Sequence, residues 1–250
     1  MNGKLSFPNV SDFGDFPKAH VEEMFEGNED IWRKLADEKT SIAVVGNSPE
    51  LKNSGNGSLI DSHDIVIRFN SAVVDTKYIA DSGSKTDLIF LNQALLARKN
   101  IGAIKKKDII VTGPDWVNYT YGKRAAVDLL DQDCQIGVIP TASRKALIET
   151  LWATPSSGIS ISFAIHEMRG SLKDVSCFGF SFTDQIGSNP KQANYFRVSK
   201  PSARHNWKGE ANLFKKLVAG AKNRTFRRKE KTRNALRKYV ARTQGFSPNA

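Results

Sequence analysis

His205 and Glu210 sit at the two ends of the segment "HNWKGE". An imidazole accepts a proton near neutral pH, and an acid close by raises its basicity or orders its loop, so the pair suits a general base. A second group lies in "SIAVVGNSPELKNSGNGSLIDSHDIVIRFN", Ser41 to Asn70. Gly46, directly after an apolar run, permits a tight turn and close approach of a ligand to the backbone, and Asn47 and Ser48 offer donors to a phosphate or a sugar hydroxyl. Asn70 closes the next apolar run, so two Asn side chains stand at neighbouring strand ends and suit a nucleotide without needing a metal. A third group is "TPSSGISISFAIHE": Pro155 halts one helix, and Ser156, Ser157 and Gly158 open an apolar one of about 12 residues. Free N–H groups and hydroxyls at a helix N-terminus attract an anion.

Each group alone has a plainer reading: a structural turn, an N-cap, an exposed histidine. The other histidines keep theirs. His63 caps or packs in its loop, His166 lies in an otherwise apolar helix, and His20 carries no pattern. Gly55 and Gly57 are not followed by a third glycine in the dinucleotide register, and the Lys-Ser/Thr of a P-loop is missing. A dinucleotide-dependent oxidoreductase therefore fails on glycine spacing.

The elements that must position these residues are legible as apolar runs. "SIAVVG" (41–46), "DIVIRF" (64–69), "DLIFL" (87–91), "DIIVT" (108–112), "QIGVI" (135–139) and "DVSCFGF" (174–180) alternate with stretches able to form helices. That alternation predicts an α/β fold, a Rossmann-like, mainly parallel sheet with helices on both faces. Ligands on such sheets lie beyond the carboxyl ends of the strands, where the opening loop is placed. Residues 1–40 read as an arm and a helix, with Val21, Met24, Phe25, Ile31, Trp32 and Leu35 on its buried side. Residues 41–221 read as the main domain that carries all three groups, and 222–250 as a basic helical tail.

The chain has 250 residues, 40% of them hydrophobic, enough for one large domain. No apolar run reaches about 18 residues, and the N-terminal residues lack the basic and apolar blocks of a signal peptide. Cys134 and Cys177, at a helix end and in a strand, have no metal or disulfide spacing, so a reducing, cytoplasmic setting is expected. The net charge of +11 is unevenly placed. From Lys200 onward stand 15 Lys/Arg against two Glu, which leaves 22 basic and 24 acidic residues before it. Ten basic residues against one acid between Lys222 and Arg242 favour an anionic partner, lipid or nucleic acid. Only Phe226 and Tyr239 there offer rings for base stacking, which argues against a nucleic-acid-binding module built on an inactive nucleotide fold.

Taken in order, the three groups resemble glycosyltransferase family 29, the eukaryotic-type sialyltransferases. "AVVGNSPELKNSGNGSLIDSHDIVIRFNSA" with "YIADSGSKTDLIF" is similar to the long sialyl motif. "TPSSGISISFAIHEMRGSLKDVSCFGF" resembles the short motif, and His205 with Glu210 has the His-x4-Glu spacing of the very short one. The matches span Ser41 to Glu210, nearly 70% of the chain. The resemblance implies a GT-A-like variant and a metal-independent, inverting transferase without a cofactor. Its donor would be CMP-sialic acid, or CMP-Kdo as the alternative, and its acceptor a glycan or glycolipid. It further implies nucleotide contacts from Asn47 and Asn70 and donor binding by Ser156, Ser157 and Gly158. His205 would be the general base.

Departures from the family pattern carry their own expectations. Secretory-pathway members carry a Cys in the long motif, where this chain has Ile42, and a partner late in the short motif, where it has "EMRGSLKDV". The absence of both implies a cytoplasmic bacterial or viral member. The motif between the short and very short ones is represented only by "NYFR", Asn194 to Arg197, without its His. Tyr195, Arg197 and Arg204 are the candidates for the charge stabilisation that His supplies. A cationic tail contributes about 1 kcal/mol per Lys or Arg near anionic lipid. Residues 222–250 are thus expected to hold the enzyme at the inner membrane face.

Overall fold

The structure is a computed structural model that describes residues 18–70, 76–91, 107–111, 133–181, 195 and 202–219. All six apolar runs form strands: β1 (Ile42–Val45), β2 (Ile65–Phe69), β3 (Leu88–Leu91), β4 (Asp108–Val111), β5 (Ile136–Val138) and β6 (Val175–Phe178). They make one sheet in the order β5-β4-β3-β2-β1-β6, with every pairing parallel. Alternation sorts the side chains. Ile42, Val44, Ile67, Phe69, Leu88, Phe90 and Ile110 belong to the larger core, while Ala43, Val45 and Val66 belong to a smaller one on the other face. Burial on both faces is why these strands read as unbroken Val/Ile/Leu runs.

The larger core is closed by four helices: α1 (Lys18–Ala36), α4 (Thr141–Leu151), α5 (Ser157–Arg169) and α6 (Trp207–Val218). On the smaller face lie α2 (Gly57–Asp61), through Ile60, and a 3₁₀ turn at Pro49–Leu51, through Leu51; α3 (Ile79–Ser82) packs on α2. Helices thus occupy both faces. Of the residues expected inside α1, Ile31, Trp32 and Leu35 are buried; Val21, Met24 and Phe25 lie outside the described side chains. α1 also seals the β5 edge. Asn28 Oδ1 accepts from the Val138 amide (2.8 Å), and Trp32 Nε1 donates to the Val138 carbonyl (2.9 Å), standing in for a further strand. Among the described residues no helix is long and apolar enough to cross a membrane.

The chain steps outward from β1 to β5, then returns to the other side of β1 with β6. This reversal places the topological switch point between β1 and β6, where ligands of open parallel sheets bind. Two buried arginines fasten the surroundings. Arg68, on β2, donates through Nη2 to Ser82 O (2.7 Å) and through Nε to Lys85 O and Thr86 Oγ1 (both 3.0 Å). Burial pulls its guanidinium down to about 10, against Asp61 and Asp87, which favour the charge. Arg169 ends α5 with Nε on Leu35 O (2.7 Å) and Nη1 on Thr40 O (3.0 Å). His63 packs in its loop as expected, Nδ1 donating to Leu59 O (2.8 Å) and Nε2 accepting from Ser176 Oγ (2.9 Å). Neither Cys134 nor Cys177 is in a disulfide. The tail, residues 222–250, lies outside the described residues.

Candidate active site

β1 runs directly into Gly46, whose amide donates to Phe178 O (2.7 Å); the Ser48 amide donates to Gly179 O (2.9 Å). A Cβ on Gly46 would lie 2.3 Å from Gly179 O, so this glycine lets two backbones touch across the switch point. The close approach expected at Gly46 is therefore made by Gly179, itself at φ +66°. Ser48 caps the 3₁₀ turn, its Oγ accepting from the Glu50 amide (3.2 Å) and pairing with Ser181 Oγ. Asn47 differs from its neighbours. Its Nδ2 reaches Phe69 O only at 3.5 Å, and its Oδ1 is buried without a partner. A buried acceptor left unpaired costs about 1–3 kcal/mol, and a ligand bringing an N–H or O–H relieves it. Asn70 leaves β2 in the left-handed region (φ 58°), a conformation Asn tolerates, with its amide on Phe90 O (2.8 Å).

One carboxylate organises the rest of this loop. Asp81 accepts from the amides of Asn53 (2.9 Å) and Gly55 (3.0 Å) and from the Tyr195 hydroxyl (2.6 Å). The Tyr195 amide in turn donates to Asn47 O (2.7 Å). Those bonds, the Tyr195 hydroxyl foremost, hold Asp81 below the usual carboxylate range. Burial and the adjoining carboxylate push the Tyr195 phenol up to about 12. Tyr195 is thus bound to the Asn47 loop through its amide and to Asp81, which holds that loop, through its hydroxyl.

The second and third groups meet. Ser156 is the N-cap of α5, and its amide and hydroxyl donate to Glu210 Oε1 (2.8 Å) and Oε2 (2.5 Å). Glu210, in the first turn of α6, is fully buried. Burial raises its pKa, while the Ser156 bonds and the nearby His205 oppose the rise. His205 Nδ1 lies 2.7 Å from Thr154 O. A carbonyl only accepts, so Nδ1 carries the hydrogen and Nε2 keeps the lone pair a base requires. Trp207 packs edge-on against the imidazole, with centroids 4.9 Å apart. Asn206 caps α6 by accepting from the Gly209 amide (2.9 Å) and donates to Leu151 O (2.9 Å).

An aromatic bridge joins these groups to the first. Phe180, just past β6, meets Phe69 edge-to-face at 5.9 Å and stacks with Phe214 of α6 at 6.2 Å. Its ring lies so close to α5 that a Cβ on Gly158 would meet it at 2.2 Å. The structure therefore brings Asn47, Ser156, Gly158, Glu210 and His205 into one connected constellation. Ser157 opens α5 beside them, and Arg204 is exposed, one residue before the imidazole. Arg197 lies outside the described residues. Asp81 and Phe180 escaped the sequence reading. Asp81 looks like a surface helix residue, and Phe180 signals only through "FGF", where a glycine separates it from its strand. Among the described residues no three His, Cys, Asp or Glu side chains gather to hold a metal ion.

A parallel sheet with its motif residues at the strand ends defines an α/β fold of the sialyltransferase type, and known proteins agree. A crystal structure of a mammalian sialyltransferase superimposes with a TM-score of 0.56 at 21% identity, covering 90% of this chain and 87% of that one. Residues 7–120 match the family model for glycosyltransferase family 29 (sialyltransferase). Sialyltransferase-like protein 2 of Oryza sativa subsp. indica is 39% identical over 100 residues, 38% of this chain and 25% of that protein. The β-1,6-galactosyltransferase GALT29A of Arabidopsis thaliana is 50% identical over 56 residues, 22% of this chain and 14% of that protein. The matched stretches span a quarter or less of these relatives. The chain is thus similar to glycosyltransferase family 29 over residues 7–120 and shares the fold of a solved sialyltransferase.

Proposed function

We propose that this chain transfers an acidic sugar from a CMP-activated donor to a glycan hydroxyl, by inverting displacement without a metal. CMP-sialic acid is the leading donor and CMP-Kdo the alternative. The acceptor O–H gives its proton to His205 Nε2 as the oxygen bonds to the anomeric carbon. On the opposite face the bond from that carbon to the phosphate oxygen breaks, and its electron pair leaves with CMP. CMP is a good leaving group, so a positioned base and a phosphate cradle suffice.

One observation carries this reading: the Thr154 carbonyl fixes the His205 tautomer two residues before the Ser156 cap, and Glu210 holds that cap. The base and the start of α5 are thereby one unit, in which the Ser156 donors are taken by Glu210. Asn47, with its unpaired Oδ1, supports a nucleotide or sugar contact at the neighbouring loop. The galactosyltransferase among the relatives makes a galactosyl donor the second reading.

A donor panel of CMP-sialic acid, CMP-Kdo and nucleotide-activated galactose, with a mixed glycan acceptor pool and mass spectrometry of products, tests it. Transfer from a CMP-sugar, undiminished by EDTA, is expected. Transfer from the galactosyl donor alone, or loss of activity in EDTA, would overturn it. Ile42, and Cys134 and Cys177 without a disulfide between them, support a cytoplasmic setting.

A further inference from the structure

Among the described residues Trp152 is the most exposed large apolar side chain, at 92%. It caps α4 in the left-handed region, φ 51° and ψ 32°, a conformation that bulky residues avoid and that marks functional positions. Its place is bracketed by two bonds. The carbonyl of Leu151, just before it, accepts from Asn206 Nδ2 (2.9 Å), and that of Thr154, two residues after, accepts from His205 Nδ1 (2.7 Å). Trp152 therefore rides on a short stretch tied at both ends to the residue carrying the base and its neighbour. Its amide is spent on Ile148 O (2.8 Å), which sets the backbone and leaves the indole to solvent. The second tryptophan here is already committed: Trp207 donates to Ser202 O (3.0 Å) and packs against His205.

Water gives no return for an exposed indole, whose apolar body and single N–H fit a partner that is apolar on one face and polar at its rim. A pyranose ring has that form, with C–H bonds on its face and hydroxyls around its edge. We propose that Trp152 is the platform on which a pyranose of the acceptor glycan stacks, so that its hydroxyl reaches Nε2 of His205. This rests on the base role proposed for His205. Ile148, 40% exposed one turn earlier in α4, extends the apolar surface.

Saturation-transfer NMR with lactose, maltose and methyl β-galactoside as probes, in the presence of CMP, tests the platform directly. Wild type and Trp152→Phe are expected to saturate ring C–H protons of at least one probe, and Trp152→Ala to bind it about tenfold more weakly. In transfer assays the same loss appears in the acceptor KM, with the donor KM unmoved. Equal binding by Trp152→Ala, or no saturation of any probe by wild type, overturns the proposal. So does a Trp152→Ala variant that keeps glycan binding and loses self-association or vesicle binding, because the indole would then serve another surface. If no CMP-sugar is consumed by wild type, the donor reading falls, and the NMR arm still decides the platform.

Discussion

Removing the imidazole with His205→Ala is expected to lower transfer by roughly 10²–10⁴-fold. CMP retention in equilibrium dialysis should be unchanged, because the nucleotide contacts proposed for Asn47 and Asn70 lie on other segments. Glu210 acts differently. Glu210→Ala strands the Ser156 amide and hydroxyl in a buried site, and a cost of about 2–3 kcal/mol in denaturant unfolding is expected. Its raised pKa also fixes a pH trend. Between the unfolded value near 4.5 and the higher folded one, the native state binds more protons, so this group's contribution to stability falls as pH rises through that window. Glu210→Gln should flatten that part of the stability profile, measured by denaturant titration from pH 4 upward. The His-x4-Glu spacing revealed both residues. It did not reveal that the acid serves a serine 54 positions earlier, since that bond depends on how α5 and α6 pack.

At the scale of elements, the β1–β6 crossing and the Asp81 clamp make separate predictions. Gly46→Ala forces a methyl into Gly179 O, and an overpacking penalty of about 1–3 kcal/mol is expected in thermal unfolding. Asp81→Asn and Tyr195→Phe each loosen the loop whose carbonyl at Asn47 binds the Tyr195 amide. Both should raise the donor KM several-fold with kcat little changed, whereas a Tyr195 acting on the departing phosphate would show its loss in kcat. The strands were legible because they are short, mainly apolar runs, fully buried in β1 and β3 and partly buried in β6. α2 and α3 were not, being 5 and 4 residues long, too short for a helical period to show. Arg68 carries no sequence signal of its role: it is buried at 1% exposure and held by the carbonyls of Ser82 and Lys85, a solvation that no local pattern announces.

Across the whole molecule, charge divides the chain into a body near neutrality and a strongly cationic end. If residues 222–250 bind anionic lipid, liposome flotation with phosphatidylserine vesicles should recover the full chain and lose the form truncated at 221, with the difference shrinking as salt rises. Equal recovery of both forms removes the membrane role. The strand order came only with the structure; at this scale the sequence reading was strongest on the six strands and their parallel arrangement, which follow from the alternation of apolar runs with helical stretches. It was weakest on how distant motifs meet, because the Phe180 bridge and the Glu210–Ser156 bonds are properties of the assembled core.

The pairing of β1 with β6 also governs how the chain is made. β1 is complete at Val45, yet the strand covering its second side arrives only at Val175. During synthesis an apolar strand that ends up inside the sheet, next to its β6 edge, therefore waits with one row of amides and carbonyls bare, able to pair with another nascent chain. A product ending before β6 would carry that adhesive edge permanently and should be recovered as aggregate. Ribosome-bound chains should become protease-resistant only after β6 has cleared the exit tunnel.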